Sequence, residues 1–371
     1  MADHVVQPRP AVAALPAYKP GKSAEAAMEE HDLDAAIKLA SNENPFDPLP
    51  SVGDALRAAA GQMNRYPDHR ATAVREALAS RLALATEQVA IGCGSVGLLQ
   101  QLALTYVQVG DEVVYGWRSF EVYPIYVQTV DGISVQVPNL ATQHLDMVGV
   151  CAAITERTRM VLVTSPNNPT GTAVTSAQLV AVLQAAPPDC LVVLDEAYHE
   201  YVTSRDAPDA LALLARYPNL AVLRTFSKAY GLAALRIGYL LAHPDVISAV
   251  DRVLIPFAVN GLAQAGALAS LAADAELHDR VRSVLAERDR VVAALSARAL
   301  TVPDAQANFV WLSAGTNALA LAAGRERRGV VTRPFANEGV RITTGSPAEN
   351  NKMLAALDAV MTGLDRHAAW R

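Results

Sequence analysis

The chain has 371 residues, of which 51% are hydrophobic and 18% charged, and its formal net charge is −6 at pH 7. This length is enough for two domains with a substantial core, and the low aromatic content of 5% favours an alanine-rich α/β protein over an all-β one. Basic residues are scattered through an acidic chain, which excludes the continuous basic surface that nucleic acid requires, so no nucleic-acid partner is expected.

The N-terminal residues and the cysteines indicate the compartment. Residues 1–4 contain no basic region leading into an apolar stretch, so no signal peptide is expected. Cys93, Cys151 and Cys190 are odd in number and far apart, which is typical of a reducing compartment and gives no metal-ligand spacing. We therefore expect a cytoplasmic protein without a metal site.

The predicted elements alternate through the first two thirds of the chain. Residues 1–37 are irregular and rich in proline and alanine. The predicted strands are residues 88–91, 112–115, 134–137, 160–164, 191–194, 221–225 and 237–241. Helical patterns lie between several of them, at residues 71–84, 96–106 and 176–184. Short apolar strands alternating with helices predict an α/β fold, a mostly parallel sheet with helices on both faces.

The pattern changes after about residue 250. The stretch 253–273 has no charged residue and is long enough to span a bilayer. However, Pro256 and the polar residues within this stretch favour a buried helix that begins after Pro256. No membrane partner is therefore expected. A long helix at residues 275–297 follows, and residues 309–343 form a small α+β unit. The expected parts are an N-terminal arm (1–37), a large domain (38–255) and a small C-terminal domain (256–371), with the arm packed on the small domain.

A glycine-rich loop follows the first strand of the predicted large domain. Residues 92–97 match the G-x-G-x-x-G pattern of dinucleotide sites. However, the loop lies some ninety residues into the chain, behind a helix, and the next acidic residues, Asp111 and Glu112, come too early. Small residues at a helix N-terminus would still let backbone N–H groups bind a phosphate. A tight turn without a ligand is the alternative.

Three further segments lie at predicted strand ends. Ser-Pro-Asn-Asn-Pro-Thr-Gly at 165–171 follows one strand, Asp-Glu-Ala-Tyr at 195–198 closes another, and Thr-Phe-Ser-Lys at 225–228 closes a third. Ligands of open α/β sheets bind outside the carboxyl ends of the strands. One crevice would therefore receive a phosphate cradle, an amide, a carboxylate with a phenol, and an amine. These groups match the needs of a pyridoxal ring.

On these motifs the chain resembles the fold-type-I pyridoxal-phosphate aminotransferases of the histidinol-phosphate aminotransferase branch. Within that branch it is most similar to the aromatic amino acid (phenylalanine) aminotransferases of actinobacteria. The resemblance runs from residues 15–18 (Leu-Pro-Ala-Tyr) through 39–45 (Leu-Ala-Ser-Asn-Glu-Asn-Pro) to 339–343 (Gly-Val-Arg-Ile-Thr). It implies pyridoxal 5′-phosphate as cofactor, a large domain with a smaller α+β domain, and a homodimer.

The resemblance also implies roles for individual residues. Lys228 would be the Schiff-base lysine and general base, Asp195 would pair with the pyridine nitrogen, and Tyr198 and Asn168 would bond the ring oxygen. Phe120 would stack on the ring. The cofactor phosphate would be held by Gly94, Ser95, Val96, Thr225, Ser227 and Arg236, and Tyr66 would reach the phosphate in the neighbouring subunit.

The substrate would be bound by Tyr18, Asn168, Arg333 and Arg341. Arg341 would clamp the α-carboxylate in a bidentate manner. Tyr18 would flank an aromatic ring, yet it also matches a residue that contacts the substrate phosphate in histidinol-phosphate enzymes. Arg333 is either the phosphate-binding arginine of those enzymes or a solvated arginine. Asn308 is either a turn residue or part of the substrate site.

The expected reaction is ping-pong transamination of an aromatic amino acid (phenylalanine, tyrosine or tryptophan) with 2-oxoglutarate. Residues 92–96 and 116–121 resemble the aromatic enzymes more than the histidinol-phosphate enzymes. The first alternative is the histidinol-phosphate aminotransferase of histidine biosynthesis. A second, less favoured alternative is a pyridoxal-phosphate-dependent amino-acid-phosphate decarboxylase on the same scaffold. A regulator would need a DNA-binding module, for which the arm is too short. A nicotinamide oxidoreductase would leave Lys228 and Asp195 unexplained.

Overall fold

The computed structural model describes residues 6–15 and 20–362. Its strands are β1 (Ile37–Leu39), β2 (Val89–Gly92), β3 (Glu112–Trp117), β4 (Ile133–Pro138), β5 (Thr158–Thr164), β6 (Leu191–Asp195), β7 (Leu220–Thr225), β8 (Gly238–Ala242), β9 (Phe309–Ser313), β10 (Val330–Phe335) and β11 (Gly339–Thr343). Its α-helices are α1 (Pro10–Ala13), α2 (Ala24–His31), α3 (Pro50–Ala60), α4 (Thr72–Leu82), α5 (Gly94–Tyr106), α6 (Val122–Thr129), α7 (Met147–Ala153), α8 (Ser176–Ala185), α9 (Ala210–Leu214), α10 (Pro244–Asp251), α11 (Gly261–Ala272), α12 (Asp274–Ser296), α13 (Ala318–Glu326) and α14 (Pro347–Met361). The strands predicted between residues 88 and 241 are all present, with ends shifted by no more than two residues.

The large sheet has the strand order β2-β8-β7-β6-β5-β3-β4 among the described residues. The strands from β7 to β4 pair in parallel, whereas β8 is antiparallel to β7 and β2. This confirms the predicted α/β class. Because parallel strands end at the same edge of a sheet, the carboxyl ends of β5, β6 and β7 bring Thr164, Asp195 and Thr225 together.

Both faces of the large sheet are covered, which explains its continuous apolar strands. In β6 successive side chains point to opposite faces: Val192 and Leu194 lie in one core, and Val193 lies in the other. The helices α4, α8 and α11 cover the first face, and α5, α6 and α10 cover the second. Strands buried on both faces carry few polar residues, so their polar groups are confined to their ends.

A smaller sheet forms the second unit, with the order β1-β10-β11-β9. The helices α13 and α14 pack with it, which confirms the predicted α+β unit. Strand β1, at residues 37–39, pairs with β10 in this sheet and not with the large one. The N-terminal arm divides its contacts, because α1 lies against α6 of the large unit and α2 lies against β10.

The two cores are linked by α12. The helix expected after Pro256 is α11, whose Ala263 and Ala267 pack in the core of the large unit. In α12, Leu277 packs in the same core, whereas Leu295 packs in the core of the small unit. The helix α12 therefore contributes to both cores. Within the described ranges, no helix combines the length and apolarity needed to cross a membrane.

Candidate active site

A cavity of about 230 Å³ lies at the carboxyl ends of β5, β6 and β7, facing strands β10 and β11. Most of the predicted site residues line it, although they come from segments spread over the chain. The predicted residues in its lining are Ser95, Val96, Phe120, Asn168, Asp195, Tyr198, Thr225, Ser227, Lys228, Arg236, Arg333 and Arg341. The strand-end motifs therefore meet at one place, as the parallel topology requires.

Two predicted residues lie outside this lining, and a third is not described. Gly94 is directly behind the lining: a Cβ there would lie 2.5 Å from Arg236 Nη2, and its φ of +73° also favours glycine. Tyr66 is 82% exposed, outside this cavity, and stacks on Phe257 with ring centroids 4.6 Å apart. Tyr18 falls outside the described residues.

Lys228 follows β7 and is half-buried in the cavity wall. Its Nζ donates a hydrogen bond to the carbonyl of Ser41 at 3.1 Å. Burial and, after it, the positive charge of Arg341 lower the pKa of Lys228 to about 7. A large fraction of this amine is therefore unprotonated near neutral pH, which lets it act as a nucleophile or a base.

Asp195 is the last residue of β6, and one of its carboxylate oxygens lacks a hydrogen-bond donor. Its Oδ2 accepts a hydrogen bond from the Tyr123 hydroxyl at 2.9 Å, and that hydroxyl lies 2.6 Å from Thr164 Oγ1. Its Oδ1 is buried and has no hydrogen-bond partner among the described residues. Burial raises the pKa of Asp195 to about 6. A buried carboxylate oxygen without a donor is costly, so a protonated ring nitrogen fits here.

An anion cradle lies beside the start of α5. The Thr225 hydroxyl donates to Ser227 Oγ at 3.0 Å, and Arg236 Nη1 donates to the same oxygen at 3.3 Å. Gly238 of β8 lets the helix start come close, because a Cβ there would lie 2.4 Å from the backbone N of Ser95. Two hydroxyls, a guanidinium and a helix N-terminus together suit a phosphate.

Two arginines enter the cavity side by side from the small sheet. Arg333 of β10 and Arg341 of β11 are cross-strand partners. Arg341 donates to Asn168 Oδ1 at 2.5 Å and to the carbonyl of Ala40 at 2.6 Å. Arg333 donates to Glu121 Oε2 at 2.8 Å, so it is held by an ion pair and is not simply solvated.

Asn42 is a site residue that sequence reasoning did not single out. It is 1% exposed, has a φ of 54°, and its side-chain amide donates to the Tyr198 hydroxyl at 2.9 Å. Its backbone N donates to Thr343 Oγ1, and its carbonyl accepts from Asn308 Nδ2 at 3.2 Å. Asn308 is thus buried behind Asn42 and outside the lining. Asparagine tolerates the left-handed backbone conformation better than most residues, and this preference is the local sequence signal that could have pointed to Asn42.

A cluster of possible metal ligands lies outside the cavity. Glu30, His31 and Glu326 place ligand atoms within 4.8 Å of one another. Among the described residues, this is the group of three or more side chains that could hold a metal ion. Lys22 forms ion pairs with both carboxylates. The Lys22 ammonium already pairs with both carboxylates, so a structural ion-pair network accounts for this cluster.

Comparison with known proteins places the chain among transferases of amino groups. The family model for aminotransferase class I and II matches residues 34–357. An aromatic amino acid aminotransferase of Thermobifida fusca (strain YX) is 51% identical over 93% of this chain and 95% of that protein. Another, from Rhodococcus jostii (strain RHA1), is 50% identical over 92% of each.

Solved structures agree with the architecture. The histidinol-phosphate aminotransferase from Sinorhizobium meliloti, in complex with pyridoxal-5′-phosphate, has a TM-score of 0.89 and 31% identity, covering 98% of this chain and 100% of that one. Aspartate aminotransferase from Thermus thermophilus with maleate has a TM-score of 0.82 and 25% identity, covering 96% and 100%.

Proposed function

The chain belongs to the class I and II aminotransferase family, and on that premise we propose that it transaminates an aromatic amino acid with 2-oxoglutarate, using pyridoxal 5′-phosphate. One observation carries the cofactor assignment. The Asp195 carboxylate, whose buried Oδ1 has no donor, and the Lys228 amine line the same cavity. The relatives at about 50% identity, named aromatic amino acid aminotransferases, support the substrate class.

The residues of the cavity fit this cofactor. Asp195 Oδ1 would accept from the ring nitrogen, and Tyr198 and Asn168 would contact the ring oxygen. Phe120 would lie against the ring. The phosphate would be held by the N–H groups at the start of α5 and by Thr225, Ser227 and Arg236. When bound, pyridoxal phosphate supplies an electron sink conjugated to the substrate nitrogen.

The protein residues would then bind the substrate and move its protons. Arg341 binds the α-carboxylate, since a guanidinium matches a carboxylate in two hydrogen bonds. Lys228 Nζ removes the proton from the substrate Cα and holds it for return, and its lowered pKa leaves the amine free to accept that proton. Asp195 stays ionised above its pKa of about 6, so it can keep a ring nitrogen protonated near neutral pH.

Histidinol phosphate is the second candidate substrate. It is favoured by the presence of Arg333 in the cavity lining and by the likeness to the Sinorhizobium meliloti enzyme. The relatives with higher identity favour the aromatic substrate. An amino-acid-phosphate decarboxylase would use the same cofactor residues and would release CO2 in place of a 2-oxo acid.

We also propose a cytoplasmic homodimer in which Tyr66 reaches the cofactor phosphate of the neighbouring subunit. Tyr66 and Phe257 stack on each other, and Met63 and Ile255 near them in sequence are exposed as well. Exposed apolar side chains of this kind are typical of interfaces. A fully active monomer in sedimentation analysis, or an unchanged cofactor affinity after Tyr66→Phe, would contradict this assembly.

The reaction is tested by half-reaction spectra. Phenylalanine, tyrosine, tryptophan and histidinol phosphate are added separately to the purified holoenzyme, and the absorbance of the lysine-bound cofactor is followed. We expect conversion to the pyridoxamine form with the aromatic amino acids and little with histidinol phosphate. Conversion chiefly by histidinol phosphate would replace the proposed substrate, and CO2 release without a 2-oxo acid would indicate the decarboxylase.

A further inference from the structure

The two arginines from the small sheet have different partners. Arg333 and Arg341 are direct cross-strand neighbours, a placement in which like charges repel each other. Arg341 is held by oxygens of neutral groups, the Asn168 amide and the Ala40 carbonyl. Arg333 is held by a carboxylate, that of Glu121. The ion pair therefore sets the net charge at the Arg333 end of the cavity.

Glu121 is placed to act on a substrate side chain. It lines the cavity directly after Phe120. Its carboxylate lies 2.8 Å from Arg333 Nη2 and 3.9 Å from Arg118, whose closer partner is Glu338. The side chains of Glu121 and Arg333 are 34% and 16% exposed, so water screens the pair only in part.

The other acidic residues of the cavity lining have partners other than Arg333. Glu43 pairs with Lys38 at 2.8 Å, and Asp195 accepts from Tyr123. An aromatic ring lies against the Glu121–Arg333 pair, because Phe335 also lines the cavity and its centroid lies 5.8 Å from the Arg333 guanidinium. This end of the cavity thus presents aromatic surface and a neutralised cation.

We propose that Glu121 determines the side-chain specificity of the enzyme, by neutralising Arg333 so that an uncharged aromatic side chain is accepted and a phosphorylated one is rejected. This inference rests on the proposed function. A phosphate dianion bound to Arg333 would either displace Glu121 or lie beside it, and both arrangements leave two anions side by side in a partly desolvated site. Selectivity against a competitor commonly comes from such a repulsive group.

Glu121 would also affect the binding of the second substrate, 2-oxoglutarate. The distal carboxylate of 2-oxoglutarate has a smaller charge than a phosphate dianion, so Glu121 opposes it less strongly. Removal of the Glu121 charge should therefore lower the KM for 2-oxoglutarate, and it should increase the use of histidinol phosphate by a larger factor.

The test compares holoenzymes of wild type and Glu121→Gln. The value of kcat/KM is measured for histidinol phosphate and for phenylalanine in the half-reaction, and their ratio is the readout. We expect the ratio to rise at least tenfold, equivalent to about 1.4 kcal/mol. Glu121→Asp keeps the charge, and Glu287→Gln removes a carboxylate paired with Arg290 on α12. Both variants should keep the wild-type ratio within about threefold.

A double variant tests the route of the effect. Glu121→Gln with Arg333→Gln should lose the gain, because no cation remains to bind the phosphate. An unchanged ratio in a folded, cofactor-loaded Glu121→Gln protein would overturn the proposal, as would a gain that persists in the double variant. If Glu121→Gln does not fold, Glu121→Ala is measured instead. A wild-type preference for histidinol phosphate would contradict both the proposed function and this proposal, whereas a wild-type preference for phenylalanine with an unchanged ratio in Glu121→Gln would contradict this proposal alone.

Discussion

The two ends of the cavity are built differently. The end with Lys228 and Asp195 comes from neighbouring strands of one buried parallel sheet, where each group sits at a strand terminus. The end with Arg333 is assembled from the small sheet, the segment before α6 and the carbonyl of Pro20. A rigid sheet suits the groups that every substrate needs. The separate segments at the other end can vary with the substrate side chain.

This difference predicts the pattern of mutational effects. Changes at the large-sheet end should lower the reaction of every substrate, whereas changes at the small-sheet end should alter which substrate reacts. A variant of Lys228 or Asp195 that changed only substrate preference would contradict this division of roles between the two ends of the cavity.

The largest effect is expected for Lys228→Ala. The variant lacks the amine that binds the cofactor and transfers the Cα proton, and proton transfer alone contributes up to about 10⁴-fold. Turnover should therefore fall by about 10⁴-fold or more with phenylalanine and with tyrosine. Lys352→Ala is the matched control, because Lys352 lies outside the cavity and contacts the Ala35 carbonyl; it should retain the wild-type rate.

The cofactor-free protein should show the energetic cost of Asp195. Its pKa is raised from 3.8 to about 6, so ionisation destabilises the folded state. The stability that the protonated group provides is fully present below about pH 4 and is lost as the pH rises through about 6. Asp195→Asn should therefore stabilise the apo-protein at pH 8 by on the order of 3 kcal/mol, with little difference at pH 4. Denaturant unfolding at both pH values measures this, and equal stability at pH 8 would contradict it.

The same variant should bind the cofactor less tightly. A hydrogen bond to a charged group contributes about 1.5–3 kcal/mol, so Asp195→Asn should weaken pyridoxal phosphate binding by about 10- to 100-fold. Equilibrium titration of the apo-protein measures the affinity. Asp189→Asn, at an exposed position, serves as the control and should bind as the wild type does.

The smallest effect is expected where the two ends meet. Asn42→Ala removes the hydrogen bond to the Tyr198 hydroxyl, worth about 1 kcal/mol, and kcat should fall by about fivefold for every substrate. Asn337→Ala is the matched control, because Asn337 also has a positive φ, of 62°, but lies in the exposed turn after β10. A loss of the same size in both variants would mean that backbone strain, and not the contact with Tyr198, causes the effect.

Sequence and structure agree best where the chemistry is local. The groups at residues 165–171, 195–198 and 225–228 each follow a strand that its apolar run predicts, and the parallel topology brings the strand ends together. The contact between Glu121 and Arg333 joins residues 212 positions apart, and that between Asn42 and Thr343 joins residues 301 positions apart. The first contact depends on how the small sheet packs against the large unit, and the second on the assembly of the small sheet from distant segments. No local pattern encodes either.

The central claim is that Lys228 carries the cofactor, and borohydride reduction of the holoenzyme tests it most directly. Reduction fixes the cofactor to its lysine, and peptide mass spectrometry then identifies the modified residue. We expect a single phosphopyridoxyl group on Lys228. Modification of another lysine, or no modification of a cofactor-saturated protein, would contradict the assignment of this cavity as the active site.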